Sequence, residues 1–160
     1  MPRLPTKWNK VVYSVRKQEG GAVTLFVGNY RHSIDVKGRL VLPSRFRSSF
    51  EGEAFVAPYE LNGLAIWTVE DYERDLAQRQ ARLHESPEYD TRFRAVNAFT
   101  EHIEIDKQGR FLLQPSLRER FNLTDEVVFA GNGDHVELWN PAAFDAAVQA
   151  NLDVFTQTIA

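Results

Sequence analysis

The sequence predicts an α+β protein, mainly β, in which one supersecondary unit is used twice. Three observations lead there. The stretch Arg31-His-Ser-Ile-Asp35-Val-Lys-Gly38-Arg39-Leu-Val-Leu-Pro43-Ser-Arg-Phe-Arg47 returns as His102-Ile-Glu-Ile-Asp106-Lys-Gln-Gly109-Arg110-Phe-Leu-Leu-Gln114-Pro-Ser-Leu-Arg118. Asp35/Asp106, Gly38/Gly109, Arg39/Arg110 and Arg47/Arg118 all stand 71 residues apart. After one inserted residue the echo continues at 72, matching Phe55-Val56 to Val127-Val128, Ile66-Trp67 to Leu138-Trp139, and Tyr72 to Phe144. Repetition of this kind fixes architecture before any local reading does. Each repeat, about 45 residues long, is marginal alone, so the two are expected to share a core or to bury surface in partners.

Residues 1–21 hold five Lys/Arg, one Glu, two prolines and Gly20-Gly21, a composition that buries little; residues 1–24 are therefore read as a basic flexible extension. The β-branched run at 23–27 reads as a strand ended by Gly28-Asn29, and the alternation at 30–34 as the next strand. Asp35-Val-Lys-Gly38 is a turn: the Asp carboxylate accepts bonds from the backbone ahead of it, and Gly tolerates positive φ. Leu40-Val-Leu42 is a strand stopped by Pro43, which opens a short helix with Phe46 and Phe50 on one face. Strands at 54–57 and 64–68 flank a turn at Asn62-Gly63.

Thr68 caps a helix with acids in its first turn and the apolar stripe Val69, Tyr72, Leu76, Leu83. Ser86-Pro87-Glu88 starts another, with Tyr89, Phe93, Val96 and Phe99 on one side. These stripes either pack on the chain's own core or meet a neighbouring molecule; periodicity alone does not choose. The plan then repeats: strands at 101–105 and 111–113 around the Asp106 turn, a short helix from Pro115 carrying Leu117 and Phe121, and a hairpin of 126–130 with 135–139 across Gly131-Asn-Gly-Asp134. Asn140-Pro141 caps a last helix with Phe144, Ala147, Val148 and Leu152 inward, fraying from Phe155. The organisation is an extension at 1–24, a first module at 25–72, a helical connection at 73–99, a second module at 100–144, and a C-terminal helix and tail at 145–160.

At 43% hydrophobic and 26% charged residues, the chain has the composition of a soluble globular protein. It has no cysteine, hence no disulfide or thiolate metal site, and its apolar runs are too short to span a membrane, so it is read as cytoplasmic. The net charge of −3 excludes a generic polyanion binder, but the distribution is uneven. Residues 31–47 hold Arg31, Lys37, Arg39, Arg45 and Arg47 against Asp35 alone, while residues 121–160 hold six acids and no Lys or Arg. A basic face on an acidic body is either a phosphate-binding surface or simply a solvated hairpin.

No catalytic constellation stands in the sequence. The histidines at 32, 84, 102 and 135 are scattered, and His84-Glu85 lacks the second histidine of a zinc protease. Gly131-Asn-Gly133 lacks a dinucleotide fingerprint's third glycine, and no serine sits in a nucleophile elbow. No enzyme activity, cofactor, metal or small-molecule substrate is expected. What remains is the repeated Asp-x-x-Gly-Arg. Asp35 and Asp106 hold the turns, Gly38 and Gly109 let the chain reverse, and Arg39 and Arg110 are presented from stiff hairpins. An arginine fork can engage phosphate or guanine O6/N7; alternatively each arginine only pairs with its own aspartate.

Asp-x-Lys-Gly-Arg-Leu-x-Leu-Pro followed by Phe-Arg resembles the AbrB-like swapped-hairpin module. Two modules in tandem, with Phe26-x-Gly28 before the first and Glu137-Leu-Trp139-Asn140 closing the second, resemble the MraZ family over roughly residues 25–150. That resemblance implies a pseudo-twofold β barrel with peripheral helices, assembled into rings of about eight copies. It also implies a sequence-specific DNA-binding transcriptional regulator, nucleoid-associated, acting at tandem short repeats in the promoter of the division and cell-wall gene cluster. By position, the family's DNA-binding segments fall on Asp35, Lys37 and Arg39, and on Asp106, Lys107 and Arg110; Lys107 stands one place from the family's usual lysine. Arg31 and Arg45 join these as basic neighbours. Gln114 stands where many relatives have proline, so the second short helix is expected to begin one residue later. The rival reading is a ring-forming interaction module or scaffold without specific DNA binding.

Overall fold

The computed structural model describes residues 25–59 and 63–159, and among them eight strands and five helices. In order these are β1 (Asn29–Ser33), β2 (Arg39–Val41), α1 (Ser44–Arg47), β3 (Glu53–Tyr59), β4 (Gly63–Trp67), α2 (Val69–Gln80) and α3 (Pro87–Ala98). The second half follows with β5 (Glu101–Glu104), β6 (Arg110–Leu112), α4 (Pro115–Arg120), β7 (Glu126–Gly131), β8 (Val136–Trp139) and α5 (Pro141–Ile159). The expected basic extension and the Asn62 turn position lie outside the described residues.

The strands pair antiparallel in a six-stranded sheet of order β1-β7-β8-β4-β3-β5 and a separate ribbon, β2-β6. The repeat is visible in the register. Leu64 faces Leu138, Ala65 faces Glu137 and Ile66 faces Val136, so Ala65 meets its own repeat equivalent and Leu64 and Ile66 each meet the other's, about an axis at Ala65/Glu137. In the ribbon, Arg39 faces Leu112, Leu40 faces Phe111 and Val41 faces Arg110, with the axis at Leu40/Phe111. The first strand of each half pairs with the other half: β1 with β7, and β5 with β3.

Alternation decides what each strand buries. Ala54 and Val56 of β3, Leu64 and Ile66 of β4, Val127 and Phe129 of β7, and Val136 and Leu138 of β8 line one sheet face. The inner face of the ribbon closes that core with Leu40 and Phe111, and Leu42, Phe46, Leu113 and Leu117 extend it from the short helices and their approaches. Burying a leucine or phenylalanine fully contributes about 1.5–3 kcal/mol, so this layer dominates stability. On the opposite sheet face Ala57, Ala65 and Trp67 meet Tyr72 of α2. The second half mirrors this, with Trp139 edge-on to Phe144 of α5 at 6.2 Å. Three helix N-termini read from sequence are capped as expected: Thr68 Oγ1 accepts from the Asp71 amide, Ser86 Oγ from that of Tyr89, and Asn140 Oδ1 from that of Ala143.

Several expectations are corrected. The β pairings do not close a barrel: β1 and β5 end the six-stranded sheet, and the ribbon is separate. Of the strand expected at 23–27, the described part forms only an isolated bridge from Phe26 to Gly133, because Gly28 at positive φ turns the chain straight into β1. The second short helix does not start late: α1 begins at Ser44 and α4 at Pro115, one repeat apart, with Pro43 and Gln114 both at the N-cap. Proline here precedes the helix and is not its first residue, so glutamine substitutes without shifting the start. Of the α2 stripe only Tyr72 is buried, and α3 buries nothing fully; Phe99 instead lies under the Arg120 guanidinium. The last helix runs to Ile159 without fraying at Phe155, and its expected inward residues Val148 and Leu152 are exposed, since α5 outruns the sheet that covers its first turns.

One buried charge links the halves. His135, 5% exposed, lies against the rings of Tyr59 and Trp67 at 4.5 and 5.0 Å. Burial opposes its charge, but the Asp134 carboxylate at 2.8 Å from Nδ1 and Glu137 at 3.6 Å from Nε2 outweigh it, lifting the pKa from 6.5 to about 9. A raised folded pKa means stability that is fully present below about pH 6.5 and lost as pH rises through 9, worth about 3 kcal/mol. Urea denaturation at pH 6.5 and pH 10 should show that loss, and His135→Phe should abolish most of it.

Candidate nucleic-acid interface

The interface follows from the ribbon. Leu40 and Phe111 point into the core, so the residues on either side of them point out. The outer face therefore presents Arg39, Val41, Arg110 and Leu112. Arg39 and Arg110 are diagonal cross-strand neighbours, about 7–8 Å apart at the backbone. Their side chains are 41% and 43% exposed, open to solvent and not interred. The 71-residue spacing thus becomes a spatial pair.

Each arginine emerges from a turn with the same wiring. The Gly38 amide donates to the Asp35 carbonyl at 2.9 Å and the Asp35 amide to the Arg39 carbonyl at 3.1 Å. Gly109, Asp106 and Arg110 repeat this at 2.9 and 3.0 Å. This is a three-residue loop closed by a glycine in the left-handed region, with φ of +77° and +81°. Asp35 Oδ1 accepts from the Lys37 and Arg39 amides, both at 2.9 Å, and Asp106 Oδ1 from those of Gln108 and Arg110. The second carboxylate oxygens take the arginine Nε at 2.6 and 2.7 Å. Both aspartate pKa values are lowered, first by the backbone donor at Arg39 or Arg110 and then by that arginine's side chain.

The aspartate engages Nε alone. The terminal amino groups of Arg39 have no hydrogen-bond partner among the described residues, and in Arg110 Nη2 reaches only Gln108 Oε1 at 3.3 Å. Pairing with the turn aspartate therefore orients the fork without consuming it. Lys37 and Lys107 stand exposed in the two loops, and Arg45 is exposed on α1. Arg31 is placed differently: it lies on β1 in the six-stranded sheet, with its guanidinium paired to Asp145 of α5. Glu51, Glu53, Glu101 and Glu104 line the same groove as Arg39, Arg110 and Leu112, so the surface around the two forks is mixed in charge.

Two arginines that sequence reading did not single out for the site also reach it. Arg118 of α4 packs on Gly38, and Arg47 of α1 packs on Gly109. Their signal was available, since they share the offset of the glycines they touch.

Comparison with known proteins follows this geometry. The family model described as "MraZ protein, putative antitoxin-like" matches residues 25–94 and 98–158. A "Transcriptional regulator MraZ" of Mycoplasmoides gallisepticum is 34% identical over 134 residues, covering 83% of this chain and 94% of that protein. One of Heliobacterium modesticaldum is 40% identical over 121 residues, covering 72% and 81%. One of Mycolicibacterium smegmatis is 32% identical over 133 residues, covering 82% and 92%.

Removing the turn carboxylate should loosen its own loop only. In Asp35→Ala, hydrogen exchange at the Lys37 and Arg39 amides should speed up severalfold, while Gln108 and Arg110 stay unchanged; Asp106→Ala should do the reverse.

Proposed function

The chain belongs to the MraZ family, and from that premise we propose that it is a sequence-specific DNA-binding transcriptional regulator. The observation behind this reading is the paired, half-exposed forks of Arg39 and Arg110 on the outer face of a two-stranded ribbon. A ribbon of that width fits the major groove, where an arginine fork reads guanine O6 and N7. Lys37, Lys107 and Arg45 would supply phosphate contacts that set the register. Arg31, held by Asp145, would contribute least.

Its target, in this reading, is a set of tandem short repeats in the promoter of the division and cell-wall gene cluster. Each unit acts as an AbrB-like swapped hairpin, a view supported by the pairing of β1 and β5 with the opposite halves. The protein works as a homo-oligomeric ring of about eight copies, located in the cytoplasm on the nucleoid. Exposed apolar side chains support assembly: Val148 and Leu152 on α5 remain exposed in the single chain. A ring repeats the ribbon around one face, so modest contacts to successive repeats add by raised effective concentration.

Fluorescence-anisotropy titration against the DNA upstream of the gene tests the reading. Arg39→Ala and Arg110→Ala should each weaken specific binding by about 1–3 kcal/mol. Affinity should fall steeply as salt rises, because phosphate contacts release counterions. A double variant that binds like wild type would remove the ribbon as the DNA site, and would leave the interaction-scaffold reading standing.

A further inference from the structure

The turns are wired by their own aspartates but roofed by the opposite repeat. A Cβ placed on Gly38 would lie closer than 3.0 Å to Cζ, Nη1 and Nη2 of Arg118. One placed on Gly109 would lie that close to Nε and Cζ of Arg47. The contacts cross: the α4 arginine of the second repeat covers the first turn, and the α1 arginine of the first repeat covers the second. Arg47 is also tied back, with Nε and Nη2 donating to the Leu42 carbonyl at 3.3 and 3.0 Å. The Leu42 amide donates in turn to the Gly109 carbonyl at 2.8 Å, so arginine and turn grip the same residue.

Arg118 shows that the contact itself matters. Its Nε is buried with no hydrogen-bond partner among the described residues. An unsatisfied buried donor costs about 1–3 kcal/mol, so plain stability does not account for an arginine there. Two arginines 71 residues apart lie against two glycines 71 residues apart, Arg118 through its terminal nitrogens and Arg47 through its Nε edge. A planar guanidinium can lie across a bare glycine peptide while keeping its charge; a lysine ammonium is a compact point that cannot cover the same surface.

We propose that Arg118 and Arg47 are positioning residues that act in trans between the repeats: Arg118 holds the first turn and so aims Arg39, and Arg47 holds the second and so aims Arg110. This rests on the DNA-binding reading above. Neither repeat then presents its reading arginine unaided, and the spacing of the two forks is set jointly. The clamps also place positive charge against two loops whose own Asp–Arg pairs are neutral, which helps hold those loops near a phosphate backbone.

The test is a set of double-mutant cycles on the full chain, titrated against the upstream DNA, with melting temperature and assembly size recorded for each variant. Arg118→Met should cut specific affinity about tenfold in the wild-type background and have little further effect once Arg39 is alanine. With Arg110→Ala its effect should multiply in full. Arg47→Met should give the mirror image, coupling to Arg110 and not to Arg39. If either clamp variant prevents folding, Arg118→Lys and Arg47→Lys replace it, with the same crossed pattern expected.

Effects that multiply with both reading arginines, together with a salt slope reduced by about one, would make these direct phosphate contacts and overturn the proposal. Equal losses in both cycles that track the melting temperature would reduce them to general packing and overturn it too. If neither wild type nor Arg39→Ala distinguishes the upstream DNA from random sequence, the DNA reading has failed. The clamp is then judged by amide exchange in the free protein. Arg118→Met should speed exchange at Lys37 and Arg39 and leave Gln108 and Arg110 unchanged; equal exchange in all four would overturn it.

Discussion

Leu40 and Phe111 face each other across the axis of a ladder only three residues long, and both are buried. That pairing constrains everything above it. Side chains alternate along a strand, so interring this one pair turns Arg39, Val41, Arg110 and Leu112 outward together. A slip of one residue would bury the arginines and expose the core, at a cost far beyond a short ribbon's own hydrogen bonds. Hydrophobic burial on one face thus sets the electrostatics of the other. The turn hydrogen bonds then refine what burial has already oriented.

The two halves share a scaffold but not a surface. The exposed lysine stands third in the first loop and second in the other, at Lys37 and Lys107. Where the first repeat has Tyr30 and Ser33 on its leading strand, the second has Glu101 and Glu104. Two helices, α2 and α3, cover the outer sheet face beside the first hairpin, whereas α5 alone covers the second. The buried His135 with Asp134 and Glu137 has no counterpart in the first repeat, where the sequence has Asn62, Gly63 and Ala65 at the matching places. A near-symmetric frame thus carries unlike tips.

Much of this was legible in the chain. Asp-x-x-Gly-Arg specifies its turn because the acceptor, the donors it satisfies and the glycine that permits positive φ all lie within five residues. Thr68 and Ser86 announced their helices for the same reason: a cap satisfies its own first turn. Long-range outcomes were less legible. The stripe on α3 left core and neighbour contact equally open, because what buries a stripe is the partner surface, and the small residues of the sheet's outer face cover it only in part. Val148 and Leu152 looked inward for want of knowing where the sheet ended. Arg47 and Arg118 passed as ordinary basic residues because their glycine partners belong to the other repeat.

By itself, then, the amino-acid order determined the repeat, the two turns and the arginines they present, because each depends on residues within a few positions or on a spacing that can be counted. Only the tertiary structure decided that the two arginines stand side by side, that the strands leave the barrel open, and that each turn is roofed from the opposite half. Those outcomes depend on which strand edges meet across the pseudo-twofold. That choice is made by the total burial of both repeats at once, a quantity no local segment contains.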